Sequence, residues 1–199
     1  MDLQGGMAEL RAAVCRAYSA AAREPSAKHP FPTGAQFAGE LGYPAELLKD
    51  LPLEALESFS GVSSVSLFAE IPAGATVLDL GCGAGLDSFI AARRTGPQGT
   101  AIGLDFSEAM IRKASSAAFR CAAENTLFLV GDAERLPLPD ASVGVALVNG
   151  IFNLNPWRER IFRELGRVVA PGGAVFAAEL VLREAVPAEA VEGASSWFS

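Results

Sequence analysis

An apolar run passes straight into a glycine-rich stretch near the middle of the chain. Residues 76–80 read Thr-Val-Leu-Asp-Leu, and residues 81–85 read Gly-Cys-Gly-Ala-Gly. The apolar run predicts a buried strand, and a helical pattern follows over about residues 86–95. A strand, a glycine loop and a helix in this order indicate a βαβ unit of a parallel sheet, in which the loop lies at the carboxyl end of the strand.

The rest of the chain divides into a helical part and an alternating part. Helices are predicted in the first part at 7–23, 44–50 and 52–70, with a loop at 24–35 that holds three prolines. Further strands are predicted at 100–105, 127–130, 143–148 and 174–181, with helices at about 108–123 and 156–169 and a turn at 171–173. We therefore expect an N-terminal helical cap over residues 1–70 and an α/β domain over 71–199 with a Rossmann-like, doubly wound, mostly parallel sheet.

Charge and residue usage narrow the function. The chain carries 23 acidic and 16 basic residues, a net charge of −7, which disfavours nucleic-acid and anionic-membrane partners. Its three cysteines form no CxxC pair and its single histidine is His29, so neither a disulfide framework, a metal site nor a Ser-His-Asp triad is expected. No signal peptide or long apolar span is visible, which predicts a cytoplasmic protein.

The glycine loop is a candidate ligand site with an acid beside it. Glycines let a ligand approach the backbone, and the helix N-terminus that follows carries positive potential. The loop departs from the dinucleotide fingerprint G-x-G-x-x-G, because position 86 is leucine. Asp79 disfavours a diphosphate and favours a cationic ligand, such as the ammonium and sulfonium of S-adenosylmethionine (SAM).

Two later strands end in acids that suit the rest of the same ligand. Asp105 follows Gly85 by twenty positions, the place at which βαβ nucleotide sites put a ribose-binding acid. Asp132 follows the third strand and is placed to accept a hydrogen bond from an exocyclic amine, as adenine would offer. Phe106 could supply an apolar face to the base.

These segments together resemble the successive motifs of class I SAM-dependent methyltransferases. The matching segments are Val77-Leu78-Asp79-Leu80-Gly81-Cys82-Gly83-Ala84-Gly85, Gly103-Leu104-Asp105, Gly131-Asp132-Ala133 and Arg167-Val168-Val169-Ala170-Pro171-Gly172-Gly173. The resemblance implies methionine contacts at Asp79, Gly81 and Gly83, a ribose contact at Asp105, and adenine contacts at Phe106, Asp132 and Ala133. We place Cys82, Gly85 and Asn149 in the same cofactor site and assign no catalytic base.

A narrower resemblance is to the arsenite methyltransferases. It rests on Leu41-Gly42-Tyr43, the helical stretch to residue 70, Gly85-Leu86-Asp87-Ser88-Phe89-Ile90-Ala91-Ala92 and Asn149-Gly150-Ile151-Phe152-Asn153-Leu154. That family holds arsenite with cysteine thiolates, one of which follows the Asn that ends the fourth strand. This chain has Gly150 there and none of its cysteines at a matching position. The resemblance therefore extends to the scaffold and not to the arsenic ligands.

We therefore predict a SAM-dependent methyltransferase with a small-molecule acceptor. The alternatives are a SAM-binding domain without catalysis and an NAD-dependent oxidoreductase. The chain ends soon after the fifth predicted strand, so we expect the last strands of the fold to be missing, and an open sheet edge would favour a homodimer.

Several single residues remain open between two interpretations. For Asp87, a solvated or capping role in the first helix turn is favoured over a role as a ligand group. For Tyr18, packing is favoured over contact with the methionine end of the cofactor. Asn149 and Asn153 are equally suited to substrate contact and to loop capping.

Overall fold

The computed structural model describes residues 3–181 of the chain. From the first strand onward the predicted order of elements is confirmed, and five helices, instead of the three predicted, precede that strand. The helices and strands are α1 (Leu3–Arg23), α2 (Ala35–Glu40), α3 (Ala45–Lys49), α4 (Leu53–Glu57), α5 (Val65–Phe68), β1 (Thr76–Leu80), α6 (Leu86–Thr95), β2 (Thr100–Asp105), α7 (Glu108–Arg120), β3 (Thr126–Val130), β4 (Val143–Asn149), α8 (Arg158–Val168) and β5 (Val169–Ala178).

The five strands form one parallel sheet in the order β3-β2-β1-β4-β5. The chain runs outward from β1 to β3 and then returns to add β4 on the other side of β1. In open α/β sheets, ligands bind beyond the carboxyl ends of the strands at this reversal of order. The predicted α/β, Rossmann-like sheet is confirmed, and its reversal point lies between β1 and β4.

Helices cover both faces of the central strands, which explains why those strands are apolar throughout. Along β1, Leu78 and Leu80 pack with Ile161 of α8 on one face. Val77 packs on the other face with Ala91 of α6. All three β1 side chains are fully buried, so β1 is a rigid base for the loop that follows it.

The N-terminal helices close over the carboxyl edge of the sheet. Helix α1 packs against α7. Lys113 of α7 donates a 2.7 Å hydrogen bond to Ser58 Oγ and forms a 2.6 Å ion pair with Glu57 at the end of α4. Lys113 also donates to the carbonyl oxygen of Ala22 in α1. One buried cation thus ties α1 and α4 to α7.

The predicted helix over 52–70 is wrong. It is two short helices, α4 and α5, joined by residues 58–64. The amides of Val62 and Ser63 donate to the side chain of Asn149 in β4 instead of to a helical carbonyl. A tertiary contact therefore replaces the helical hydrogen bonds of this stretch. Helix α2 was not predicted, and α8 begins at Arg158 rather than at residue 156.

Residues 171–173, predicted as a turn before the fifth strand, lie within the bounds of β5 but do not pair with β4. The strand begins at Val169 and ends at Ala178, short of the predicted residue 181. Its pairing with β4 passes from Val143–Val169 to Val145–Ala174, so residues 170–173 bulge out of the ladder, with Gly172 at φ +83°. The expected lack of further strands concerns residues 182–199, which lie outside the described range. No helix among residues 3–181 is long and apolar enough to cross a membrane.

Candidate functional site

A cavity of about 1020 Å³, counted with its open mouth, lies at the carboxyl edge of β1, β2, β3 and β4. We call it the cleft. Helix α1 and residues 58–61 form its outer wall. All predicted site residues except Gly85 line it, namely Asp79, Gly81, Cys82, Gly83, Asp105, Phe106, Asp132, Ala133 and Asn149.

The glycine loop is anchored to the neighbouring strand. The amides of Gly81 and Cys82 both donate to the carbonyl oxygen of Leu104, at 2.8 and 3.1 Å. Gly81 has φ +77°, and a Cβ there would lie 2.3 Å from Ile151 Cγ2. Glycine is therefore required at this position, both by the left-handed backbone and by the close approach of the next wall of the cleft.

Gly85 has a different place from the one predicted. It precedes α6 with φ +91°, and a Cβ on it would lie 2.8 Å from the ring of Phe128. The residue therefore packs against β3 instead of lining the cleft.

Asp105 joins the loop to β2. Its carboxylate accepts hydrogen bonds from Gly83 N at 3.0 Å and from Ser107 N at 2.8 Å. The side chain is only 7% exposed, and this burial raises the pKa of Asp105 to about 6 in spite of the two donors. The acid predicted to bind ribose therefore lies at the cleft and fixes the shape of the glycine loop.

Asp79 lies at the base of the cleft and is 2% exposed. Ser88 Oγ donates a 2.5 Å hydrogen bond to its carboxylate. Burial raises the pKa of Asp79, and the nearby Asp87 carboxylate raises it further. A cation placed beside this buried carboxyl group would stabilise its charged form.

The expectation that Asp87 is a solvated or capping residue is wrong. It is 5% exposed and accepts hydrogen bonds from Tyr43 Oη at 2.6 Å and from the hydroxyl and amide of Ser66. Asn149 Nδ2 donates to its second oxygen at 2.9 Å. Burial raises the pKa of Asp87, while these donors favour the charged form. The first turn of α6 is covered by the N-terminal segment, which the sequence pattern of α6 alone does not reveal.

Asn149 lines the cleft, and its amide is engaged by the N-terminal segment. Its Oδ1 accepts hydrogen bonds from Val62 N and Ser63 N, and its Nδ2 donates to Ser63 O at 2.7 Å. Asn149 therefore caps a loop, while its place in the cofactor site stays a prediction. Asn153 caps the neighbouring segment, since its side-chain amide donates to the carbonyl oxygen of Leu180, while its backbone N–H donates to Glu179.

The adenine side of the predicted site holds a basic residue that the motifs do not indicate. Arg11 of α1 forms ion pairs with Asp132 at 2.6 Å and with Glu134 at 3.1 Å. Asp132 also accepts a hydrogen bond from Glu134 N. Helix α1 is thus fastened across this end of the cleft. Arg11 is one of three arginines on an Ala-rich helix, so the sequence gives no sign of this role.

The remaining wall is apolar and aromatic. Val14 and Tyr18 come from α1, and Phe59, Ile151 and Leu154 come from two loops. Tyr18 stacks on Phe31 with ring centroids 4.4 Å apart, and burial raises its pKa to about 12. Tyr18 therefore packs against Phe31, which agrees with the favoured packing role, and it also lines the cleft.

The Cys82 thiol is in a poor position to act as a metalloid ligand. It donates to Gly83 O at 3.5 Å. Burial raises its pKa well above the ordinary value, and the Asp79 carboxylate adds to this. The thiol is therefore held in the neutral form, whereas the thiolate is the nucleophile and ligand. Within residues 3–181, no group of three or more His, Cys, Asp or Glu side chains could hold a metal ion.

Comparison with known proteins agrees with this geometry. An arsenite methyltransferase of Halobacterium salinarum is 38% identical over 149 residues, which cover 75% of this chain and 38% of the relative. A demethylmenaquinone methyltransferase of Lactococcus lactis is 37% identical over 106 residues, which cover 53% of this chain and 42% of the relative. The chain thus spans about two fifths of the length of these relatives.

A solved structure shows the same fold. The crystal structure of an arsenic(III) S-adenosylmethionine methyltransferase from Chlamydomonas reinhardtii superposes with a TM-score of 0.54 at 31% identity. The match covers 71% of this chain and 47% of that chain. The model of the methyltransferase domain family matches residues 71–198. The chain therefore belongs to the methyltransferase domain family, as a class I SAM-dependent methyltransferase domain related to the arsenite methyltransferases.

Proposed function

We propose that the chain transfers a methyl group from SAM to a small organic acceptor. One observation carries this proposal: carboxylates from the ends of β1 and β2 and from the loop after β3 line a single cleft together with the glycine loop. These are Asp79, Asp105 and Asp132. Their spacing along the edge follows the order in which SAM presents a cationic amino acid, a ribose and an amine-bearing base.

The donor set of the cleft suits SAM better than a diphosphate cofactor. Arg11 is the one basic side chain among the described residues that line the cleft, and it is already paired with Asp132 and Glu134. A diphosphate would meet the buried Asp79 without a free cation to offset the repulsion. The same acid stabilises an ammonium or sulfonium group.

The residues that line the cleft can be assigned to the three parts of SAM. Asp79 and the loop from Gly81 to Gly83 would hold the methionine part, Asp105 the ribose, and Phe106, Asp132 and Ala133 the adenine. SAM supplies a methyl group that its sulfonium already activates. The protein's own contribution is alignment and exclusion of water, which α1 and the apolar wall of the cleft provide.

We propose an acceptor other than arsenite. The relatives named above are methyltransferases for arsenite and for demethylmenaquinone. In this chain the one cysteine of the cleft is Cys82, whose thiol is neutral and bound to a carbonyl. Val14, Phe59, Ile151 and Leu154 instead offer an apolar surface to the acceptor.

A binding assay followed by a turnover screen tests the proposal. The protein is titrated with SAM by calorimetry and then incubated with SAM labelled in its methyl group and a panel of phenols, thiols and arsenite. We expect SAM binding and label transfer to an organic acceptor. Transfer to arsenite alone would contradict the proposed acceptor. Binding without transfer to any acceptor would favour the alternative of a SAM-binding domain without catalysis.

A further inference from the structure

A buried hydrogen-bond network lies at the wall of the cleft, and the function proposed so far gives no role to the residue at its centre. Its centre is Asp87, on the first turn of α6. This residue is distinct from the three acids that the proposed function assigns to SAM. The carboxylate receives donors from three separate segments of the chain: the loop before α3, helix α5 and the end of β4. No buried side-chain polar atom among the described residues lacks a partner, so this network is complete.

Asn149 connects Asp87 to the wall of the cleft through hydrogen bonds on both sides of its amide. One oxygen of Asp87 accepts from Asn149 Nδ2, which fixes the plane of the amide and directs its Oδ1 at residues 62 and 63. Nδ2 also donates to Ser63 O, so the amide grips both sides of one peptide segment. A free amide could rotate and lose these bonds, whereas an amide held by a buried carboxylate cannot.

The residues just before the segment that Asn149 holds are part of the cleft. Ser60 and Gly61 line the same cleft as Asp79 and Gly81. A Cβ on Gly61 would lie 2.5 Å from Asn149 Nδ2 and 2.8 Å from the ring of Phe59. The backbone therefore lies directly on the Asn149 amide, and a change in that amide must move the wall.

We propose that Asp87 is a positioning residue which, through Asn149, holds residues 62 and 63 and so keeps Ser60 and Gly61 in the wall of the cleft. This inference rests on the proposed function, because the affected ligand is SAM. The carboxylate form is needed at this place. An amide at residue 87 would turn a donor toward one of the hydroxyl, backbone N–H or Asn149 donors, and the network would lose a partner on both sides.

The test compares variants of the two residues by calorimetric titration with SAM. We expect Asp87→Asn and Asn149→Ala each to weaken SAM binding by about tenfold, the scale of coupling between residues that share one network. The double variant should bind no more weakly than either single variant, since both break the same link. Asn125→Ala is the matched control. The Asn125 amide also holds backbone carbonyls, of Ala92 and Gly96, but at the opposite edge of the sheet, so we expect wild-type affinity.

Hydrogen exchange gives a second readout that does not depend on SAM. The amides of Val62 and Ser63 should lose protection in Asp87→Asn, because their acceptor is no longer fixed. If Asp87→Asn does not fold, the test uses Asn149→Ala by itself. That variant removes the hydrogen bond between residues 149 and 87 and leaves Asp87 the hydrogen bonds from Tyr43 and Ser66.

Wild-type SAM affinity in Asp87→Asn, or additive losses in the double variant, would overturn the inference. A wild-type protein that does not bind SAM would instead contradict the proposed function, and the exchange of the two amides would still decide whether Asp87 positions the wall.

Discussion

The acids at the cleft are held in different ways, and this sets what each can do. Asp105 accepts two backbone donors, Asp79 accepts one serine hydroxyl, and Asp132 is paired with Arg11. The sequence predicted the position of the first two at the cleft, because each lies at the end of an apolar strand next to a glycine motif, and their roles toward the cofactor stay predictions. It could not predict Arg11 or the burial of Asp87, since both depend on how the N-terminal helices pack over the sheet.

Replacing the acid at the end of β2 should weaken cofactor binding. We expect Asp105→Ala to reduce the affinity for SAM by about 1–3 kcal/mol, the scale of charge-assisted hydrogen bonds. Calorimetric titration with SAM measures this loss of affinity. Asp140→Ala is a control of equal charge change, since Asp140 is exposed and pairs with Arg167 away from the cleft. Equal affinity in Asp105→Ala and the wild type would refute the ribose assignment.

The raised pKa of Asp79 predicts a dependence on pH with a definite sign. Between the ordinary carboxyl pKa near 4 and the higher folded value, the folded protein holds a proton that the unfolded chain has released. The free energy of unfolding without ligand should therefore fall as the pH rises through this range. Urea unfolding at a series of pH values measures it, and Asp79→Asn should reduce the slope.

SAM binding should depend on pH in the opposite direction. A cation beside Asp79 favours the charged carboxylate, so the affinity should rise with pH over the same range. Titrations in buffers of different ionisation enthalpy should show proton release on binding. An affinity that does not change with pH would count against a contact between Asp79 and the cation.

At the scale of elements, the strands were easier to predict than the helices of the cap. Each strand is a short apolar run between turn residues, and local pattern suffices for such a run. Residues 58–64 instead take their conformation from Asn149, far away in the sequence. The strand β5 starts before its two glycines because Val169 already pairs with Val143 of β4. Both features depend on tertiary contacts, which a local sequence pattern does not reveal.

The glycine loop gives a prediction with an internal control. Gly81→Ala places a methyl group at φ +77° and 2.3 Å from Ile151, whereas Gly172→Ala places one at φ +83° with no atom within 4 Å. Both variants should lose about 1–2 kcal/mol from the left-handed backbone. Gly81→Ala should lose about 1–3 kcal/mol more from overpacking. Denaturant unfolding measures the difference in the free energy of unfolding between the two variants. Equal losses would show that Ile151 moves aside without cost and would contradict this prediction.

For the whole molecule, a parallel sheet supplies the ligand edge and the N-terminal helices cover it. Residue pattern and motif order were sufficient to predict this arrangement, the family and the cofactor. The acceptor was not predictable, because its wall is assembled from α1 and two loops that meet only in the folded chain. The division into a cap at 1–70 and a domain at 71–199 stays a prediction.

Self-association is a prediction at the same scale. Within residues 3–181, β3 and β5 each pair with one strand only, and Leu127, Val130 and Val175 are exposed on them. We expect a mass of two chains in sedimentation equilibrium, with Val175→Lys shifting the protein toward one chain. A single-chain mass at all concentrations would contradict it.

The most direct measurement of the central claim is a pair of calorimetric titrations of the wild-type protein, one with SAM and one with NADH. The cleft is lined by four carboxylates, those of Asp79, Asp87, Asp105 and Asp132, and by one basic side chain that is already paired. We therefore predict saturable binding of SAM at one site per chain and no binding of NADH. Binding of NADH without binding of SAM would contradict the account.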